Sequence, residues 1–132
     1  MAHILLVDDD ELMRALLSGV LRRVNHTVIE ADNGRTALQI LKKNSVDLII
    51  TDIFMPEMDG MDLLTSILSR YPDSKIIAIS GGYKAMNAQL SLRMARGFGA
   101  VDVIAKPFRT ADVIRKVARA LQPTNSPIRK EA

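Results

Sequence analysis

Four short apolar stretches of this chain each end on residues able to do chemistry. Residues 3–7 run into Asp8, Asp9 and Asp10, residues 46–51 into Asp52, residues 75–79 into Ser80, and residues 101–105 into Lys106. Three clustered carboxylates repel one another strongly unless a cation lies between them. All-oxygen ligands with neither histidine nor thiol nearby favour a hard divalent ion. Magnesium suits the set, because it keeps several waters and accepts one or two carboxylates together with phosphate oxygens. With such an ion present, Asp52 can attack a phosphoryl group in line, while the Lys106 ammonium and the Ser80 hydroxyl neutralise and hold its equatorial oxygens. The product is an aspartyl phosphate.

Taken singly, each residue has a plainer reading. Asp10 stands where a helix N-cap belongs and is assigned to capping rather than to metal. Asp52 alone would be a turn residue before Pro56, Ser80-Gly81-Gly82 a flexible loop or phosphate nest, and Lys106 a surface lysine. What turns them into a site is their common placement at strand ends, so the elements decide the matter.

Residues 3–7 are a short, partly β-branched apolar run, as in a strand buried on both faces of a parallel sheet. Leu12, Leu16 and Val20, with Met13, Leu17, Leu21 and Val24, then give helical spacing to about Arg23. The unit recurs with a strand at residues 27–31, a turn at Asn33-Gly34 and a helix over 36–43 that turns Ala37, Leu38, Ile40 and Leu41 inward. A third strand, residues 46–51, delivers Asp52, and a helix from about residue 61 to 70 stops before Pro72. The fourth strand covers 75–79, a helix lies around 88–96, and Gly97 and Gly99 break the chain before a fifth strand at 101–105. Thr110 is expected to cap a last helix running through Val113, Ile114, Val117 and Leu121, and Pro123 ends the fold. Five strand-helix alternations predict an α/β fold, a doubly wound five-stranded parallel sheet with helices on both faces. In such sheets ligand groups collect at the carboxyl ends of the strands, beside the point where strand order reverses.

The composition fits one domain over residues 1–122, with a disordered tail at 123–132 containing two prolines, small polar residues and charges. There is no cysteine, which removes disulfides, thiolate metal sites and cysteine nucleophiles. No stretch approaches ~18 apolar residues, so a soluble, cytoplasmic protein is expected, with no membrane partner. The formal net charge is +3, but the basic residues are spread in pairs and aromatics make up only 4% of the chain, which argues against direct nucleic-acid binding. Arg115 and Arg119, with Arg93 and Arg96, are read as solvated helix faces in preference to a basic docking surface. His3 and His26 are read as structural or exposed.

At Leu-Val-Asp8-Asp9-Asp10, Asp47-Leu-Ile-Ile-Thr-Asp52, Met55-Pro56-Glu57-Met58-Asp59-Gly60, Ser80-Gly81-Gly82 and Lys106-Pro107-Phe108, the sequence resembles the receiver domains of response regulators, including single-domain chemotaxis-type members. The resemblance covers residues 2–122. It implies a flavodoxin-like (βα)5 fold with strand order 2-1-3-4-5, and phosphorylation of Asp52 by a histidine kinase or histidine phosphotransfer protein. It also implies a magnesium ion held by Asp9, Asp52 and the Phe54 carbonyl, with Asp8 acting largely through water, and a cis bond before Pro107. The chain would then be a switch that catalyses only its own phosphorylation and dephosphorylation, not an enzyme acting on other substrates. Ser80, Val103, Lys106 and Pro107 form the switch set. The usual aromatic at the position three before Lys106 is Val103 here, so a rotating-tyrosine mechanism cannot operate as such. The interval from Ser80 to Lys106 is a few residues longer than the family pattern, and Phe54 and Gly82 flank the site where they would tune the phosphate's lifetime.

Output is expected through the face of the fourth helix, fifth strand and last helix toward a protein target, and a phosphorylation-dependent homodimer is compatible with it. A haloacid-dehalogenase-type phosphatase with Asp8 as nucleophile is the alternative, since Asp8-x-Asp10 imitates that family's acid pair. It leaves Asp52 and the segment behind it unexplained. A flavodoxin-like flavin carrier is rejected by charge, because acids after the first strand would repel the flavin phosphate.

Overall fold

Alternating side chains of five parallel strands feed two separate cores, one on each face of a central sheet. The computed structural model describes residues 1–53, 60–80, 93 and 96–122. The elements are β1 (His3–Val7), α1 (Glu11–Arg23), β2 (Thr27–Ala31), α2 (Gly34–Lys43), β3 (Leu48–Asp52), α3 (Gly60–Arg70), β4 (Ile76–Ser80), β5 (Asp102–Ala105) and α4 (Thr110–Ala120). The sheet order is β2-β1-β3-β4-β5 with every pair parallel, the order expected. The helix expected around residues 88–96 lies outside the described residues, apart from 93 and 96, as does the tail at 123–132.

The two-residue period of the strands sorts their side chains. Leu5, Val7, Ile49, Ile76, Ala78 and Val103 face one way and pack with Ala37 of α2 and Leu63, Leu64 and Ile67 of α3. Ile4, Leu6, Leu48, Ile50, Ile77, Ile79 and Ile104 face the other way, against Leu17 and Leu21 of α1 and Val113 and Val117 of α4. Both faces being covered explains why the strands read as continuous apolar runs.

The element ends differ from expectation in ways the hydrogen bonds explain. Asp47 stands outside β3. Its Oδ2 accepts from the His3 amide at 2.8 Å, tying the start of β3 to β1. Asn33-Gly34 is not a turn but the start of α2, with Asn33 Oδ1 accepting from the Thr36 amide at 2.8 Å as an N-cap. Thr110 does not cap the last helix. The capping position is Arg109, which makes no side-chain capping bond. β4 runs one residue later than expected, through Ser80, and β5 begins at Asp102. The apolar residues of α1 divide: Leu17, Val20 and Leu21 are buried, but Leu12 and Leu16 are 83% and 50% exposed. His3 is exposed, and His26 Nδ1 accepts from the Ala2 amide, a structural role far from the acidic edge.

Two glycines make the packing testable. Gly99 has φ +109°, and a Cβ there would lie 2.5 Å from Leu68 Cδ1, whereas a Cβ at Gly19 in α1 meets nothing within 4 Å. Gly99→Ala should therefore destabilise the protein by about 1–3 kcal/mol through backbone strain. Gly19→Ala should stabilise it by about 0.5–1 kcal/mol through helix propensity. Urea unfolding of both variants beside the wild type checks the two opposite signs.

Candidate functional site

Strand register alone brings the acidic and basic residues to one edge. Val7 pairs with Thr51, so the next residues, Asp8 and Asp52, leave neighbouring strands side by side. Asp52 pairs with Ile79 and Ser80 with Ala105, which places Ser80 and then Lys106 in the same row at the carboxyl ends. β1 lies between β2 and β3, so the row sits where strand order reverses.

Asp8 is fully buried and Asp52 is 5% exposed, while Asp9 is exposed. One carboxylate oxygen from each of the three lies within 4.8 Å of the others. Lys106 reaches across with its Nζ 3.2 Å from Asp52 Oδ2 and 3.7 Å from Asp8 Oδ2. The Lys106-Pro107 bond is cis, as the resemblance implied.

Asp8 is held on several sides. Its amide donates to the Ala31 carbonyl at 3.1 Å, and its Oδ1 accepts from the Asp10 amide at 2.9 Å. Its Oδ2 has no hydrogen-bond partner despite complete burial. Burial pushes the Asp8 carboxyl up from the ordinary 3.8 to about 6; the Asp10 amide and Lys106 pull it down, and Asp52 and Asp9 add to the rise. An orphaned, buried carboxylate oxygen beside two other carboxylates is the donor set of a hard cation, so the residues present fit a divalent ion such as magnesium. Phe54, expected to add a carbonyl ligand, lies outside the described residues, as do Gly81 and Gly82.

Asp10 has the role assigned to it. Its Oδ1 accepts from the amides of Leu12 and Met13 at 3.1 and 3.2 Å, capping α1. That engagement also disfavours the phosphatase alternative, which needs Asp10 as a mobile acid beside a nucleophilic Asp8. Val103 is buried at 1% exposure in the α2–α3 core, and its carbonyl accepts from Lys116 Nζ at 2.6 Å. Arg115 pairs with Asp112 at 2.9 Å on the exposed face of the last helix, whereas Arg96 reaches the buried Asp102 of β5 at 3.5 Å.

Sequence reasoning missed three charged residues, Arg14 and Glu30 beside the acidic edge and Asp102 at the other end of β5. Arg14 donates from Nη1 to the Asp8 carbonyl at 2.7 Å and from Nε to Glu30 Oε1 at 3.1 Å. Asp102 is buried at 7% exposure, its Oδ1 accepting from the Val103 amide at 2.8 Å. The readable sign was an acid inside an otherwise apolar strand, Glu30 in β2 and Asp102 at the start of β5, since a buried charge needs a partner.

Comparison with known proteins agrees with this geometry. The family model of the response regulator receiver domain matches residues 4–118. The chemotaxis protein CheY of Thermotoga maritima is 37% identical over 121 residues, covering 89% of this chain and 98% of that protein. The two-component response regulator ORR5 of Oryza sativa subsp. japonica is 35% identical over 91% of this chain and 89% of its own length. The transcriptional regulator NtrC of Azospirillum brasilense is 35% identical over 96% of this chain, which spans only 25% of that longer protein. Among solved structures, the receiver domain of NtrX from Brucella abortus superposes with a TM-score of 0.84 at 30% identity, covering 92% of this chain and 99% of that one. The chemotaxis response regulator CheY4 of Vibrio cholerae gives 0.81 at 28% identity, with coverage of 92% and 99%. An acidic cluster facing a lysine across the carboxyl edge of a 2-1-3-4-5 sheet, and a family model matched along nearly the whole of this chain, lead to one conclusion: the chain belongs to the response regulator receiver domain family of two-component signalling proteins.

Proposed function

We propose that residues 1–122 act as a phosphorylation switch in which Asp52 takes a phosphoryl group from a histidine kinase or histidine phosphotransfer protein. The observation that carries this reading is the convergence of the Asp8, Asp9 and Asp52 carboxylates within 4.8 Å, with the Lys106 ammonium 3.2 Å from Asp52. Asp8, Asp9 and Asp52, with the Phe54 carbonyl, would hold magnesium. When bound, the ion supplies charge neutralisation for phosphoryl oxygens.

An Asp52 carboxylate oxygen attacks phosphorus as the bond from phosphorus to the donor's imidazole nitrogen breaks, leaving an aspartyl phosphate and a free imidazole. Burial keeps water away from the acyl phosphate, and Lys106 offsets the added negative charge. Ser80 and Lys106 then follow the phosphoryl group and shift the equilibrium of the face containing β5 and α4, where a downstream protein, or a second copy of this chain, docks. With Val103 buried, that shift proceeds without a swinging aromatic ring. Asp102, bonded through Lys116 and Arg96 to the flanking helical segments, is suited to carry it. The chain acts on its own aspartate and on no separate substrate. Among the described residues no helix is long and apolar enough to cross a membrane, and a cytoplasmic location accords with its kinase partner.

The first test incubates the protein with magnesium and acetyl phosphate, quenches in acid and reads intact mass. One base-labile phosphoryl adduct is expected that requires magnesium and is missing from Asp52→Asn. An adduct that survives in Asp52→Asn but is lost in Asp8→Asn would transfer the chemistry to Asp8. Lys106→Ala should still accept phosphate yet show the same partner affinity with and without it. A normal phosphorylation-dependent change in that variant would remove Lys106 from the switch.

The Asp8 carboxyl also sets a pH dependence. Its folded value of about 6 lies above the ordinary 3.8, so the stability contributed by its protonated form is present below about 3.8 and lost as pH rises through 6. A cation that binds the ionised form works in the opposite sense. Magnesium affinity should be flat above pH 6 and weaken by about tenfold per pH unit below it. The magnesium-induced rise in Tm should therefore be larger at pH 7.5 than at pH 5, checked by calorimetry across that range.

A further inference from the structure

The loop carrying Asp8 and Asp9 is held from outside the acidic cluster. Arg14, on the first turns of α1, points back along the helix and donates from Nη1 to the Asp8 main-chain carbonyl at 2.7 Å. Its guanidinium is fixed in turn by Glu30 on β2, whose Oε1 accepts from Nε at 3.1 Å, and the Arg14 side chain is only 16% exposed. Glu30 is steadied from its other side by Arg22, with Nη2 3.5 Å from Oε2, and Arg22 donates from the same nitrogen to the Val28 carbonyl at 3.1 Å.

The carbonyl that Arg14 grips belongs to the peptide joining Asp8 to Asp9. With the Asp8 amide on Ala31, its Oδ1 on the Asp10 amide and its carbonyl on Arg14, Oδ2 remains the Asp8 polar atom without a hydrogen bond. That peptide plane sets the directions in which both the Asp8 and Asp9 side chains leave the backbone. We propose that Arg14, held by Glu30, is a positioning residue for the divalent-cation site, fixing the Asp8–Asp9 peptide so that its two carboxylates converge with Asp52. The inference rests on the magnesium reading above and goes beyond it, because Arg14 itself carries a positive charge and ligates nothing.

The sign of the effect separates positioning from simple charge. Removing a cation from the neighbourhood of a cation site strengthens metal binding if only Coulomb forces matter. Losing an outer partner that orients the ligands weakens it, by about 10–100-fold.

The experiment is calorimetric titration of the intact protein with magnesium chloride for wild type, Arg14→Met, Arg14→Lys, Glu30→Ala and Glu30→Gln, with thermal unfolding to confirm that each is folded. The magnesium Kd should rise about 10–100-fold in Arg14→Met. Arg14→Lys, which keeps one donor, should fall between Arg14→Met and wild type. Glu30→Ala should weaken binding in the same direction, and Glu30→Gln, which keeps an acceptor for Nε, should restore it toward wild type. In acetyl phosphate assays the half-saturating magnesium should rise in Arg14→Met while the rate at saturating magnesium returns to that of wild type.

A Kd that is unchanged or lower in a folded Arg14→Met overturns the positioning role, as does a rate that stays low at saturating magnesium. If Arg14→Met does not fold, the Glu30 pair decides: equal affinities in Glu30→Ala and Glu30→Gln overturn the role. A wild type that binds no magnesium removes the cation reading itself and this role with it, an outcome distinct from failure of the Arg14 variants alone.

Discussion

Buried negative charge at the carboxyl edge of the sheet is the constraint on which the rest of the molecule turns. Asp8 and Asp52 are almost wholly removed from water, Asp9 stands beside them, and Lys106 faces the pair. Three ionised carboxylates and one ammonium leave two negative charges, the charge that a divalent cation cancels. Without such an ion Asp8 is reluctant to ionise, chiefly because it is buried and to a lesser degree because Asp52 and Asp9 stand beside it. The same imbalance makes the site responsive. A phosphoryl group placed on Asp52 would change the local charge again, with the Lys106 ammonium 3.2 Å from that carboxylate.

The sheet supplies the rigidity that this chemistry needs. Strands covered on both faces by packed aliphatic side chains fix the register, and a slip of one residue would exchange the two cores. Because register is fixed, Asp8, Asp52, Ser80 and Lys106 emerge in one row although they are far apart in the chain. Outside the row, charged residues hold strands to helices: Glu30 joins β2 to Arg14 and Arg22 of α1, and Lys116 of α4 bonds to the Val103 carbonyl of β5. One of these tie points lies at the loop that presents Asp8 and Asp9, the other on the strand that delivers Lys106.

How much of this was legible in the sequence depends on the length scale of the interaction. Strand existence and the identity of Asp8, Asp9, Asp52 and Lys106 followed from short-range pattern, whereas the sheet order was implied by the family resemblance: buried parallel strands must be apolar throughout, so a carboxylate or lysine at the end of such a run is conspicuous. The cap at Asp10 was equally local, an acceptor set against the free amides of the next turn. The helix start at Asn33 was misjudged because turn and cap residues share the same preferences, and the last helix start because Thr110, a favoured capping residue, sits one position inside a helix whose cap position makes no side-chain bond.

What the tertiary structure decided were contacts between segments with no fixed spacing. The sequence marks Arg14 and Glu30 as charged residues on a helix and a strand, and nothing in their separation says that one guanidinium bridges the Asp8 carbonyl and a neighbouring strand. The exposure of Leu12 and Leu16, the burial of Asp102 and the orphaned oxygen of Asp8 likewise depend on how α1 and β5 lie against the sheet. The sequence by itself determined the fold class and which residues could do the chemistry, because both are written in local periodicity and residue type. The packed structure decided which polar atoms are paired, buried or left open, because burial and long-range hydrogen bonding belong to the folded chain and not to any segment of it.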